Sequence, residues 1–405
     1  MKILHTSDWH LGHRLLEQSQ QEEQSMFLDW LLAYIRQNNI DMLLVSGDIF
    51  DTGVPSAQGQ KLYYDFLIHL RNTGCNEVVI TGGNHDAPST LNAPKELLNA
   101  LSIRVVGKAT GNIEEEIFKL SVRDEDIIVA AIPYLRDQDI RRAIASESFE
   151  EISNRYKTAL INHYTEAADC CRAIGTEVIP VIAMGHLFAL GGSTSESEQT
   201  IYVGNLGDIG AEDFPATFDY VALGHLHRAQ TVGGKESIRY SGSPYMLSFS
   251  ELDSDKKVVV IETLEGKITG IEEAAVPRFR DIYRVSGSAE SCIKQLEKID
   301  AGHHALTPWV EVILENENEL ALEYKEINKA AETLKLEVLK VTLKNERRRE
   351  GLERLVENAK NIKEITPEEV FRLKCKEQGF DLDNDPEMLN AFFEILQLVQ
   401  DNEPV

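Results

Sequence analysis

The chain has 405 residues, 42% of them apolar, which is enough for two or three domains with cores of their own. Its formal net charge of -26 excludes a protein that coats nucleic acid by bulk charge. Five scattered cysteines (Cys75, Cys170, Cys171, Cys292, Cys375) without a CxxC pair exclude a disulfide framework or a zinc knuckle and fit a reducing cytoplasm. With no apolar stretch ahead of Asp8 and no run of about 18 apolar residues later, the chain is expected to be neither secreted nor membrane-spanning.

In chain order, residues 2–6 read as a strand, 25–37 as a helix, 40–46 as a buried strand, 57–72 as a helix and 77–81 as a strand. This βαβαβ start predicts parallel pairing. Beyond Arg104 the pattern turns to strands at 116–122, 126–132, 178–184, 219–224, 237–241, 256–263 and 267–273, interrupted by a helical stretch near 149–174. The order predicts an α/β fold with two mixed β-sheets packed face to face and flanked by helices. Pro277 marks a boundary. After it, strand 281–285, helix 288–299, strand 309–315, helix 320–335 and strand 336–343 make a small α+β unit, and a charged run then leads to helical patterns at 367–378 and 386–400. The expected domains are 1–276, 277–344 and 345–405.

Five polar clusters fall at or just past the ends of strong apolar strands: SDWH (Asp8, His10), SGDIFD (Asp48, Asp51), GGNHD (Asn84, His85, Asp86), MGH (His186) and LGHLH (His225, His227). Strand ends of α/β sheets are where sites assemble. Residues two apart in extended chain point to one side, so Asp8 with His10, and His225 with His227, can each serve one centre. Converging carboxylates repel unless a cation joins them. Aspartate oxygens, imidazole nitrogens and an amide oxygen, with no thiolate, suit manganese, iron, zinc or cobalt. Asp8, His10, Asp48, Asn84, His186, His225 and His227 are too many ligands for one ion, and a bridging Asp48 would satisfy two ions roughly 3.5–4 Å apart. Taken singly, His186 also reads as a hydrogen-bonded structural histidine and Asp48 as a turn cap. The whole series DxH, GDxxD, GNHD, GH, GHxH points to metal chemistry, because each block demands a residue type at a fixed offset.

In that series the chain resembles the calcineurin-like metallophosphoesterase family. The longer stretches HTSDWHLGH, GDIFDTGVPS, GNHDAPSTLN, LGHLHRAQ and YSGSPYMLSFSE look like the DNA end-processing nuclease subunits that work with an SMC-like ATPase. The resemblance is strongest up to residue 276. It implies a nuclease domain, a capping domain on the DNA side, and a C-terminal linker and helical pair that bind the ATPase. It also implies double-strand 3'-5' exonuclease and single-strand or hairpin endonuclease activity in a cytoplasmic, nucleoid-associated setting. Two divalent ions, most readily Mn2+, would be held by Asp8, His10, Asp48 and His227, and by Asp48, Asn84, His186 and His225. His85 would face the phosphodiester, with Asp86 or Asp51 orienting its ring. Related nucleases place another histidine where this chain has Asp51, which here reads as support for the metal site.

In the tail, Leu389, Phe392, Phe393, Leu396 and Val399 form an apolar face, partly satisfied by packing on Val370 and Phe371; the resemblance implies docking on the ATPase. It also implies a homodimer within a heterotetramer, for which helix 57–72 offers Leu62, Tyr63, Phe66, Leu67 and Leu70, although core packing explains that face equally well. Among rivals, protein phosphatases place arginine after the second aspartate of GDxxD and glutamate after GNH, where this chain has Thr52 and Asp86. Nucleotide and cyclic-nucleotide phosphodiesterases share GNHD and GHxH, but not the cap, tail and longer blocks. A noncatalytic scaffold would have lost ligands, and none is lost.

Overall fold

The computed structural model describes residues 1–123, 125–136, 139, 149–174, 179–189, 209–300, 302, 305–315 and 320–343. In chain order these form β1 (Lys2–Thr6), β2 (Arg14–Leu15), β3 (Gln18–Ser19), α1 (Gln21–Asn38), β4 (Met42–Ser46), α2 (Ala57–Leu70), β5 (Glu77–Thr81), α3 (Pro88–Asn92), α4 (Lys95–Asn99) and β6 (Ile103–Val106). There follow β7 (Ile117–Val122), β8 (Glu125–Ala131), α5 (Phe149–Ile174), β9 (Val181–His186), β10 (Tyr220–Gly224), β11 (Gln230–Val232), β12 (Lys235–Tyr240), β13 (Lys257–Leu264) and β14 (Lys267–Ala275). Last come β15 (Ile282–Gly287), α6 (Ala289–Leu296), β16 (Trp309–Leu314), α7 (Leu320–Thr333) and β17 (Glu337–Leu343). The two helical patterns expected at 367–378 and 386–400 lie outside the described residues.

One sheet runs β14-β13-β1-β4-β5-β6 and the other β11-β12-β10-β9-β8-β7. The expected parallel start is present: β1 pairs with β4, and β4 with β5, in parallel. Period-2 alternation explains why the central strands read as unbroken apolar runs. Ile3, Met42, Leu44 and Val79 of the first sheet meet Ile127, Val129, Ile182, Met184, Tyr220 and Ala222 of the second in one core. The intervening residues Leu4, Leu43, Val45, Val78 and Ile80 turn outward onto Phe27, Leu31 and Ile35 of α1 and Tyr63, Phe66, Leu67 and Leu70 of α2. On the far side Ile128, Ala130, Ala183, Val221 and Leu223 pack on Leu160, Tyr164 and Ala167 of α5. The result is helix, sheet, sheet, helix. Of the α2 face offered for a symmetric contact, Tyr63, Phe66, Leu67 and Leu70 are buried in this chain's own core and Leu62 packs against it half-buried.

Beyond Pro277, β15, β16 and β17 form a three-stranded sheet in that order, with β15 and β16 parallel. Arg280 anchors this part to the first: its Nε donates to Glu23 Oε2 at 3.1 Å, and its guanidinium lies 4.0 Å over the Trp309 ring. Leu15, Met246 and Phe249 join Ile282 and Trp309 in an apolar cluster at the same joint. Residues 1–314 with 318–342 make one compact unit, and a second comprises 315–317 and 343–405. Among the described residues, no helix is long and apolar enough to cross a membrane.

Candidate metal centre

The loop leaving β1 is held by backbone bonds from Asp8 N to Gly47 O (3.1 Å) and from His10 N to Asp48 O (2.9 Å), which tie it to the loop leaving β4. Trp9 turns away from the site. It is fully buried, donates from Nε1 to Thr6 Oγ1 at 3.1 Å, and stands edge-on to Phe27 and Phe66. Asp8 and His10 converge by a different route from the extended pair expected: both adopt left-handed backbone, with φ of 53° and 42°. Asp48 (φ 49°) and His225 (φ 104°) do the same. Conformations that non-glycine residues seldom adopt are thus concentrated where candidate ligands meet. Close approach does the rest, since a Cβ added at Gly83 would lie 2.1 Å from Asp48 Oδ1, and one at Gly47 2.2 Å from His186 Nδ1.

All seven candidate ligands come together. Asp8, His10 and His227 offer atoms within 4.8 Å of one another, and so do Asp48, His186 and His225. Asn84 joins the second group: its Oδ1 is 3.0 Å from His186 Nε2 and 3.0 Å from His225 Nδ1. Asp48 Oδ2 faces both groups, 3.6 Å from His10 Nε2 and 3.2 Å from His186 Nε2. The other oxygen, Oδ1, accepts the His85 backbone N–H at 2.9 Å.

Asp8 Oδ1 accepts from the His225 backbone N–H at 2.9 Å, and Oδ2 from Ser7 Oγ at 2.5 Å. Burial raises the pKa of Asp8, with the Asp48 charge adding to the effect. Burial also opposes ionisation of Asp48, but the facing His186 and His10 imidazoles outweigh it and hold that carboxyl far below the usual range. For His186, burial works against charge, while Asp48 and Asp8 carry the pKa up to about 9. Burial, and then the neighbouring His186, push His225 well down.

The donor set fits a divalent cation. His186 Nδ1–H donates to Ser46 O at 3.0 Å, which leaves Nε2 facing Asn84 Oδ1 and Asp48 Oδ2. A cation there would take the place of the proton that Asp48 and Asp8 otherwise hold on this ring. In the other group, His10 Nε2 is buried without a hydrogen-bond partner.

His85, Asp86 and Asp51 divide the remaining work differently from the sequence expectation. Asp86 does not orient the His85 ring: it is buried, and its carboxylate accepts backbone N–H groups from Ile49 (3.1 Å), Phe50 (3.0 Å) and Gly83 (2.9 Å). Burial and the Asp48 charge raise its pKa to about 6. It fastens two site loops together. Asp51 does orient His85, but through its carbonyl, which accepts from His85 Nδ1 at 2.8 Å. Its carboxylate lies 2.7 Å from His13 Nδ1 and 3.3 Å from His10 Nδ1. Burial opposes its charge, yet bonds from His10 and His13 hold its carboxyl far below the usual range. A third close grouping, His10, Asp51 and His85, arises from these contacts.

Two participants end stretches quoted above, HTSDWHLGH and YSGSPYMLSFSE, without having been assigned a role. His13 clamps Asp51 and also reaches Leu247 O at 3.1 Å. Glu251, fully buried, lies 3.5 Å from His227 Nδ1 and 2.5 Å from Lys256 Nζ. Its serine-rich setting gave no periodic signal. His5 is a core residue: it is fully buried beside Tyr220, its Nδ1 3.1 Å from that hydroxyl, and burial drives its pKa down to about 3. The basic side chains near the site are largely engaged, with Arg136 donating to Asp86 O (2.8 Å) and Arg228 to Ser250 O (3.3 Å).

Residues 1–229 match the family described as Calcineurin-like phosphoesterase, and residues 278–379 match Type 5 capsule protein repressor C-terminal domain. The chain is 35% identical to SbcD, the D component of nuclease SbcCD, of Escherichia coli (strain K12) over 384 residues, 94% of each chain. It is 28% identical to the Bacillus subtilis (strain 168) protein of the same name over 406 residues, 100% of each. The Rhodobacter capsulatus counterpart is 35% identical over 277 residues, 66% of this chain and 67% of that one. The packed sheets, the converging ligand series and these similarities agree: the chain belongs to the calcineurin-like phosphoesterases, in the SbcD family of SbcCD nuclease components.

Proposed function

We propose that this metal-dependent phosphodiesterase hydrolyses DNA with two divalent ions, most readily Mn2+. One ion belongs on Asp8, His10, Asp48 and His227, and the other on Asp48, Asn84, His186 and His225. The observation that carries this reading is Asp48 Oδ2 standing between His10 Nε2 and His186 Nε2, at 3.6 and 3.2 Å. Such a pair supplies an acidified water and neutralises charge gathering on phosphate. The protein's own groups do the positioning. Asp51 O fixes His85 Nδ1–H and so aims Nε2; with both ring nitrogens protonated, the Nε2 proton passes to the leaving oxygen and the ring is left neutral. Asp86 and His13 keep the loops of Asp48, Asp51 and His85 in register.

The net charge of -26 makes bulk attraction to DNA weak, so two divalent ions acting within roughly 8 Å, and a partner, supply the phosphate affinity. The names of the relatives support SbcC, an SMC-like ATPase, as that partner. We assign residues 1–276 to the nuclease, 277–344 to the DNA-side cap, and 345–405 to SbcC binding. A homodimer within a heterotetramer, and a cytoplasmic, nucleoid-associated role in DNA repair, recombination and replication, follow from family membership alone. Deleting residues 350–405 is expected to abolish copurification with SbcC; unchanged copurification would refute the tail assignment.

The function itself is tested by incubating the full-length chain, with and without SbcC, with end-labelled linear duplex in Mn2+ or in chelator. Shortening of the duplex in Mn2+ alone is expected. Hydrolysis of a cyclic nucleotide with the duplex left intact would favour the nucleotide-phosphodiesterase alternative.

A further inference from the structure

The buried pair Glu251 and Lys256 takes no part in the ligand series, yet it grips His227 at two points. Lys256 Nζ donates to the His227 carbonyl at 3.2 Å, to Ser243 Oγ at 2.7 Å and to Glu251 Oε2 at 2.5 Å. Glu251 Oε1 lies 3.5 Å from His227 Nδ1. Ser243 N donates to the same His227 carbonyl at 3.2 Å. Both charged side chains are almost wholly enclosed, at 0% and 8% exposure. A buried ion pair is weak evidence of stabilisation, since desolvation offsets much of its attraction. Its contacts with one ligand histidine suggest a more specific task.

A histidine that binds a metal through one nitrogen needs the other nitrogen held, because the held N–H sets the tautomer and the ring angle. With Nδ1 facing Glu251, Nε2 is the nitrogen left for the group containing Asp8 and His10. We propose that Glu251 is a positioning residue for His227, with Lys256 holding it in place, and that the pair sets metal affinity at the Asp8–His10–His227 site alone. His186 has a different anchor, the Ser46 carbonyl, so the two sites are tuned by separate groups. This rests on the two-metal reading above.

The test is a Mn2+ titration of the full-length chain by calorimetry, with bound metal counted independently by electron paramagnetic resonance. Wild type should take up two equivalents; fewer would defeat the two-metal reading itself, before Glu251 is at issue. Glu251→Gln should weaken one equivalent by about 10–100-fold and leave the other unchanged. His227→Asn identifies which equivalent that is. If the unpaired Lys256 ammonium prevents Glu251→Gln from folding, Glu251→Gln with Lys256→Met removes both charges and should show the same selective loss. Wild-type affinity at both sites, or equal weakening of both, in the variant that folds would overturn the proposal.

Discussion

Asp48→Ala should abolish Mn2+-dependent cleavage of duplex DNA, a loss of at least about 10³-fold, equivalent to several kcal/mol of transition-state stabilisation. Oδ2 of Asp48 faces both groups, 3.6 Å from His10 Nε2 and 3.2 Å from His186 Nε2. The change also frees the His85 backbone N–H, which Oδ1 accepts at 2.9 Å. Metal uptake should therefore fall with turnover, toward zero equivalents by titration. A purified, folded Asp48→Ala protein that still cleaved DNA would sink the bridging assignment.

His85→Ala should separate the two readouts. The ring is fixed through Nδ1 to the Asp51 carbonyl, and its backbone, which the substitution keeps, is what Asp48 uses. Two equivalents of Mn2+ should still bind, while turnover falls by about 10²–10⁴-fold, the usual worth of a positioned proton donor. Wild-type turnover would show that His85 is a bystander; lost metal would make it a ligand.

How much was legible depended on whether a residue's task was local. That Asp8, Asp48, Asn84 and the four candidate histidines converge could be read because strand ends place them at fixed offsets, and the two sheets then bring those ends together. The partners of these residues could not. Glu251 lies 24 positions beyond His227, in a loop whose path is set by tertiary packing, and His13 meets Leu247 across 234 positions. Asp86 looked like part of a catalytic motif, but its carboxylate is engaged by three backbone N–H groups, a contact that spacing does not reveal. Element ends shifted for similar reasons. Pro180 has no N–H to give, so the strand expected from residue 178 begins at Val181 and carries Gly185 and His186 within it. Helix α1 starts at Gln21, earlier than residue 25, because Glu23 and Gln24 are polar yet buried and so hid the apolar period. The hairpin Arg14–Ser19 was missed because its strands are two residues each.

The joint around Arg280 bears on how far this protein can be taken apart. Leu15 belongs to the hairpin following His10 and His13, while Met246 and Phe249 belong to the loop ending at Glu251; both rest on Ile282 and Trp309. The small sheet is therefore an abutment for the two segments beside one candidate metal group, Asp8, His10 and His227. A chimera carrying another relative's residues 277–344 would have to import matching partners for Leu15, Met246 and Phe249, or the exchange would loosen the two segments beside His10 and His227.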